Sequence, residues 1–144
     1  MITLDNIKQI LKDYFNSHGQ INSVYYCDDW DFNSERSINY PVVNIEYLNS
    51  NISNRTINHN FKIVIGDITE SDNTDMEDQV HSQSLQIAED FYTYLQNYEV
   101  GIFFNKVSTL NKFTDDTGDR VSGIVFTVTI SAIRSQNICD KPTK

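Results

Sequence analysis

Residues 121–133 read Val-Ser-Gly-Ile-Val-Phe-Thr-Val-Thr-Ile-Ser-Ala-Ile, and their alternation decides the fold class. Ile124, Phe126, Val128, Ile130 and Ala132 fall on one side of a strand, and Thr127, Thr129 and Ser131 on the other. Successive side chains of an extended chain point to opposite faces, so one side expects a core and the other expects water. Upstream, Ile57, Phe61, Ile63 and Ile65 repeat the pattern, with His59 in the same register and so on the inner face or at its rim. Between these strands the period changes. Met76, Val80, Ile87, Ala88, Phe91 and Leu95 recur along one helical face, with Ser84 as the small member of the series. Thr74-Asp75-Met76-Glu77 has the spacing of a capping box, which starts a helix running to about Asn97.

Working outward, Leu4, Ile7, Leu11, Tyr14 and Phe15 recur at three- and four-residue intervals, with Ile10 beside them. Thr3 caps this first helix, Asp5 suits its positive end, and Gly19 stops it. Residues 21–27 are rich in strand formers. An acidic, polar stretch from Asp28 to Asn39 follows, holding Trp30 and Phe32. Tyr40-Pro41 opens a second strand through about Leu48, since proline fits a strand start or an edge. Asn49 to Asn54 and Thr69 to Asp75 read as polar loops. The last two strands are Ile102–Leu110 and Val121–Ile133, and Asp115–Asp119 reads as a hairpin tip. The order is helix, three strands, helix, two strands. It predicts an α+β fold: a small antiparallel or mixed five-stranded sheet with both helices on one face. One domain is expected over residues 1–133, with a polar tail at 134–144.

The chain has 144 residues, 20 acidic against 11 basic, and a formal charge of -9. Gripping nucleic acid through its phosphates needs a basic face, and the Lys and Arg here are scattered. An acidic protein instead lets DNA pass, or the charge simply keeps it soluble. No apolar run approaches the roughly 20 residues of a membrane span. The N-terminus shows no basic segment followed by an apolar one, so a cytoplasmic site, or a particle assembled there, is expected. Cys27 and Cys139 have no metal-type spacing and read as free thiols.

No catalytic, cofactor or metal constellation is expected. His18, His59 and His81 share no spacing of three or four. The acidic clusters at 28–31, 67–75 and 115–119 lack the full calcium-loop pattern and read as solvated loops. Cys27 with His59 or His81 could form a nucleophilic pair, but no motif supports it. Of Tyr25 and Tyr26, and of Tyr92 and Tyr94, one member each must leave the core side. Trp30 and Phe32, in a polar loop, suit either a protein contact or a small cluster at the sheet rim.

An opening amphipathic helix from Leu4 to about Ser17 is followed by Tyr-Pro-Val-Val-Asn-Ile-Glu at Tyr40–Glu46. Then come the strand Phe61–Ile65, the helix Met76–Leu95, Asp119–Val121, Gly123 and the strand through Ile133. This layout, over about 130 residues, resembles the tail-completion or tail-terminator proteins of tailed bacteriophages. The acidic segment Asp67–Asp78 departs from that family's often basic loops. The resemblance implies a virion protein that forms a ring, a hexamer or dodecamer, at the head-to-tail junction. It would contact neighbouring portal, adaptor or tail-tube proteins while DNA passes through its bore. Subunit contacts are expected from the loop Asn49, Asn51 and Asn54, from Trp30 and Phe32, and from the tail beginning at Arg134. A small monomeric or dimeric protein acting on a host partner is the alternative, and an enzyme with an unrecognised pocket the third reading.

Overall fold

The computed structural model describes residues 2–28, 38–70, 73–97, 102–115 and 120–134, with backbone alone for 102–106. Helix α1 spans Leu4–Ser17. Its first turn is closed reciprocally: Asn6 N–H donates to Thr3 Oγ1, and Thr3 N–H donates to Asn6 Oδ1 at 2.9 Å. Strands β1 (Ser23–Tyr26), β2 (Val42–Ile52) and β3 (Thr56–Ile68) follow. Helix α2 (Thr74–Gln96) comes next, then β4 (Ile102–Val107), β5 (Asn111–Asp115) and β6 (Val121–Ile133). The cap of α2 is Asn73, not Thr74: its side chain accepts the Met76 N–H at 3.0 Å. Asx oxygens reach this position readily, so the helix begins one residue earlier than the capping-box spacing predicts.

The class is α+β and the sheet is mixed, in the order β1-β2-β3-β6-β4. Only β1 runs parallel to its neighbour, β2; the other ladders are antiparallel. Five strand positions are present as predicted, but the fifth is split. β4 pairs with residues 128–132 of β6 and β5 with residues 121–125, so the two lie end to end along one flank. The predicted single strand Ile102–Leu110 therefore stops at Val107. Ser108 patches the break: its N–H donates to Thr127 O at 2.9 Å and its Oγ accepts Thr127 N–H at 2.9 Å. Asp115, expected in the hairpin tip, pairs with Val121.

Both helices pack on one face. Ile7, Leu11 and Phe15 of α1 join Ile87, Ala88, Phe91 and Leu95 of α2 over Ile45, Phe61, Ile63, Ile65 and the 124–132 series. Rings weld the helices together: Tyr14 stacks on Tyr94 with centroids 4.3 Å apart, and Phe15 meets Phe91 at 4.8 Å. Burial and the nearby Asp90 carboxylate push the Tyr14 hydroxyl up to about 12. His18, expected at the helix stop, also ties the pair, its Nε2 3.0 Å from Asp90 Oδ2. A row of this length buried under two helices supplies most of the folding drive.

The opposite face holds a surprise for the alternation argument. Thr129 and Ser131 point away from the helices yet are buried, Ser131 completely. They satisfy themselves across the strands: Ser131 Oγ donates to Asn58 Oδ1 at 2.5 Å, and Thr129 Oγ1 to Asn60 Oδ1 at 2.6 Å. Asn60 in turn donates to Asn49 Oδ1 at 2.6 Å. At the other end of this face Val42, Val64 and Val121 form a second small cluster with Tyr25 and Phe113. Gly123 lies against β3 there so closely that a Cβ would fall 1.8 Å from Ile65 O.

Candidate self-association surface

The segment Asn49–Asn54, predicted as a loop, is mostly strand. The ladder between β2 and β3 shifts by one residue between Tyr47 and Asn49, leaving Leu48 as a bulge. An extra residue in one strand reverses the facing of everything beyond it. Asn49 and Asn51 turn to the polar face and pair with Asn60 and Asn58, while Ser50 and Ile52 turn to the helix side opposite His59 and Ile57. The β2–β3 hairpin thereby becomes a long arm whose β2 side, from Leu48 to Ile52, is almost wholly exposed. Among the described residues no strand pairs with the outer side of β2, away from β3, beyond Ile45.

Four of the six predicted contact residues meet on this arm. Asn49 and Asn51 lie along it and Asn54 in its turn. Arg134 joins them from the end of β6, its N–H donating to Arg55 O at 2.8 Å. Trp30 and Phe32 lie outside the described residues. The residues that sequence reasoning passed over are the apolar ones: Ile52 is 67% exposed and Ile133 62%. Two isoleucines left in water at one end of a sheet are a signal visible only once the pairing register is known. Arg55 stands exposed between them in sequence.

Chemistry on the arm is confined to one trio. Ser50 Oγ lies 2.6 Å from His59 Nδ1 and 2.5 Å from the Tyr47 hydroxyl. His59 is 4% exposed, on the inner face as its register predicts, and burial lowers its affinity for a proton. The ring therefore hydrogen-bonds Ser50, not Cys27. The trio pins the bulge: a hydroxyl between an imidazole and a phenol holds three side chains in register. His81, expected on the polar side of α2, is half-buried with Nε2 3.5 Å from Phe113 O. Among the described residues no three His, Cys, Asp or Glu side chains converge as a metal site requires. Nor is any described helix long and apolar enough to cross a membrane.

The second surface feature is a groove of about 440 Å³ between the C-terminal half of α2 and the split flank. Phe91, Tyr92, Leu95, Val107, Leu110 and Phe126 line it. It opens where β4 gives way to β5, and Tyr92, the member of its pair that leaves the core, stands at its mouth.

No protein-family model matches this sequence, and a search of curated proteins gives no match. Geometry alone thus defines the class: an α+β domain with an exposed hairpin arm at one end of its sheet.

Proposed function

We propose that the chain is a structural virion protein, a subunit of an oligomeric ring at the head-to-tail junction of a tailed bacteriophage. It would serve as a tail terminator or a portal-proximal adaptor, made in the host cytoplasm and retained in the neck of the particle. The observation that carries this reading is the arm end of the sheet, where Ile52 on β2 and Ile133 on β6, one on each face, stand exposed near Asn49, Asn51, Asn54 and Arg134. Apolar side chains left exposed at a sheet end, beside an unpaired strand edge, suit a partner that covers them and meets polar backbone. A ring needs a surface that is not its own complement, so that each copy uses one patch to hold its neighbour's other patch. The net charge of -9 suits a bore through which DNA slides without sticking. The order of elements adds the resemblance already described.

Native mass spectrometry and electron microscopy of the purified chain test the reading, together with quantitation in purified particles. Six or twelve copies per ring, present stoichiometrically in virions, are expected. A monomer absent from particles would overturn it. One observation favours the alternative, a small binding or inhibitory protein: the apolar groove under α2 could seat a host partner's helix. That reading predicts a one-to-one complex and no ring in the same experiments.

A further inference from the structure

A second cavity, of about 210 Å³, opens where α2 crosses the far end of β3 from the arm. It is smaller than the roughly 300 Å³ at which sites for drug-sized ligands begin, so its scale is that of one side chain. Asp67 reaches it from β3 on the same side as Ile63 and Ile65, and Ser84 reaches it from α2. Asp67 Oδ1 accepts the Ile68 N–H at 2.8 Å, and the carboxylate forms no ion pair with any described residue. Partial burial without a cation raises its affinity for a proton. Ser84 is 3% exposed, and its hydroxyl hydrogen-bonds no other described residue. The exposed amides of Gln20 and Gln83 flank the mouth. A half-buried carboxylate without a cation and a hydroxyl that opens on the same cavity without a described protein partner together make an acceptor set that a donor from outside could fill. Glu70, Asp75 and Asp78 stand at the same end of the sheet, where the one described basic neighbour in the adjoining turn, Arg120, already pairs with Glu77 at 3.5 Å.

The opposite end carries the complement. Arg55 is exposed in the β2–β3 turn with Arg134 bonded beside it, and neither forms an ion pair with a described residue. Strand β3 separates Arg55 from Asp67, a span of roughly 40 Å at strand rise. No single chain can close that distance; a second copy can.

We propose that the Asp67 cavity receives the Arg55 guanidinium of a second copy of this chain. Rigid, forked donors suit a carboxylate and an adjacent hydroxyl better than a lysine's point charge does. The contact joins unlike patches, so it propagates head to tail and closes into a ring when its rotation allows. It rests on the ring reading above and names the contact that reading requires.

Sedimentation velocity on the full chain tests it. Arg55→Asp and Asp67→Asn should each weaken self-association by at least roughly 10-fold. Mixed in equal amounts, they should form dimers and no ring, because one variant keeps the cavity and the other keeps the arginine. The double charge swap, Arg55→Asp with Asp67→Arg, should recover part of the wild-type mass. Arg55 lies in an exposed turn, so a melting curve like wild type is expected for its variant. If both single variants assemble like the wild type, the cavity contact is wrong and the ring reading stands. If neither assembles alone and the mixture gives only monomers, the cavity contact is again wrong. A wild-type chain that stays monomeric at every concentration overturns both.

Discussion

Replacing Ile52 by serine separates assembly from folding. Full burial of an isoleucine side chain contributes about 1.5–3 kcal/mol. Ile52 is 67% exposed in the isolated chain, so a neighbour covering the rest gains about two-thirds of that, roughly 1–2 kcal/mol per contact. Lost on substitution, that free energy weakens each contact about 5- to 30-fold. Ile133, 62% exposed, carries a similar share. Folding should barely notice, because an exposed substitution usually changes stability by less than about 0.5 kcal/mol. A sedimentation series over protein concentration, paired with a urea melt, reads both quantities on one preparation. Ile52→Ser should move the association midpoint to higher concentration and leave the unfolding midpoint in place. The reasoning fails if an assembling wild type is matched by an equally assembling variant. It also fails if the urea midpoint drops sharply, since the side chain would then be packing within its own chain.

Other outcomes follow from the interior. Thr129→Val removes the donor to Asn60 Oδ1 on a buried position, so denaturant melts should show a loss of about 1–3 kcal/mol. Gly123→Ala should give little soluble protein, because its new Cβ collides with the Ile65 carbonyl and not with a side chain that can move. His59 holds its proton less tightly folded than its ordinary 6.5. Above that pH it is neutral in both states; below it the unfolded chain takes up the proton first. Its contribution is therefore lost as pH falls from 6.5 towards the folded value, and His59→Gln should flatten that part of a stability–pH curve. Asp67 behaves with the opposite sign. Burial raises its folded value, so the charged form disfavours the fold at neutral pH. Asp67→Asn should accordingly melt higher at pH 7, with the gain fading in acid, even as it associates less well.

Elements with a clean period were legible from sequence. The 124–132 alternation, the stripe of α2 and the stripe of α1 each place their residues in the shared core, and the mixed five-position sheet under two helices follows. Tyr26 joins that core and Tyr25 the second cluster, as alternation requires. What escaped reading depends on pairing partners. Tyr47-Leu48-Asn49-Ser50-Asn51 has no steady alternation because a bulge sits in its middle, so its strand looks like a loop. Thr129 and Ser131 look solvent-facing because polarity was equated with exposure, whereas asparagines on the neighbouring strand satisfy them in place. Asn49, Asn51, Asn54 and Arg134 were found as contact candidates, and the structure collects them on one arm. The Asp67 cavity was read only as part of an acidic run. Its partner Ser84 comes from a helix seventeen positions later, and no local pattern couples them.

The split flank has a consequence for growth. An uninterrupted outer strand is a template on which any extended peptide can lengthen the sheet. Here the outermost row changes from β4 to β5 midway, and Ser108 uses up the Thr127 groups uncovered at the joint. An incoming chain would find two short docking rungs of six and five residues in place of one long rail. Stacking without limit is thereby discouraged on that side.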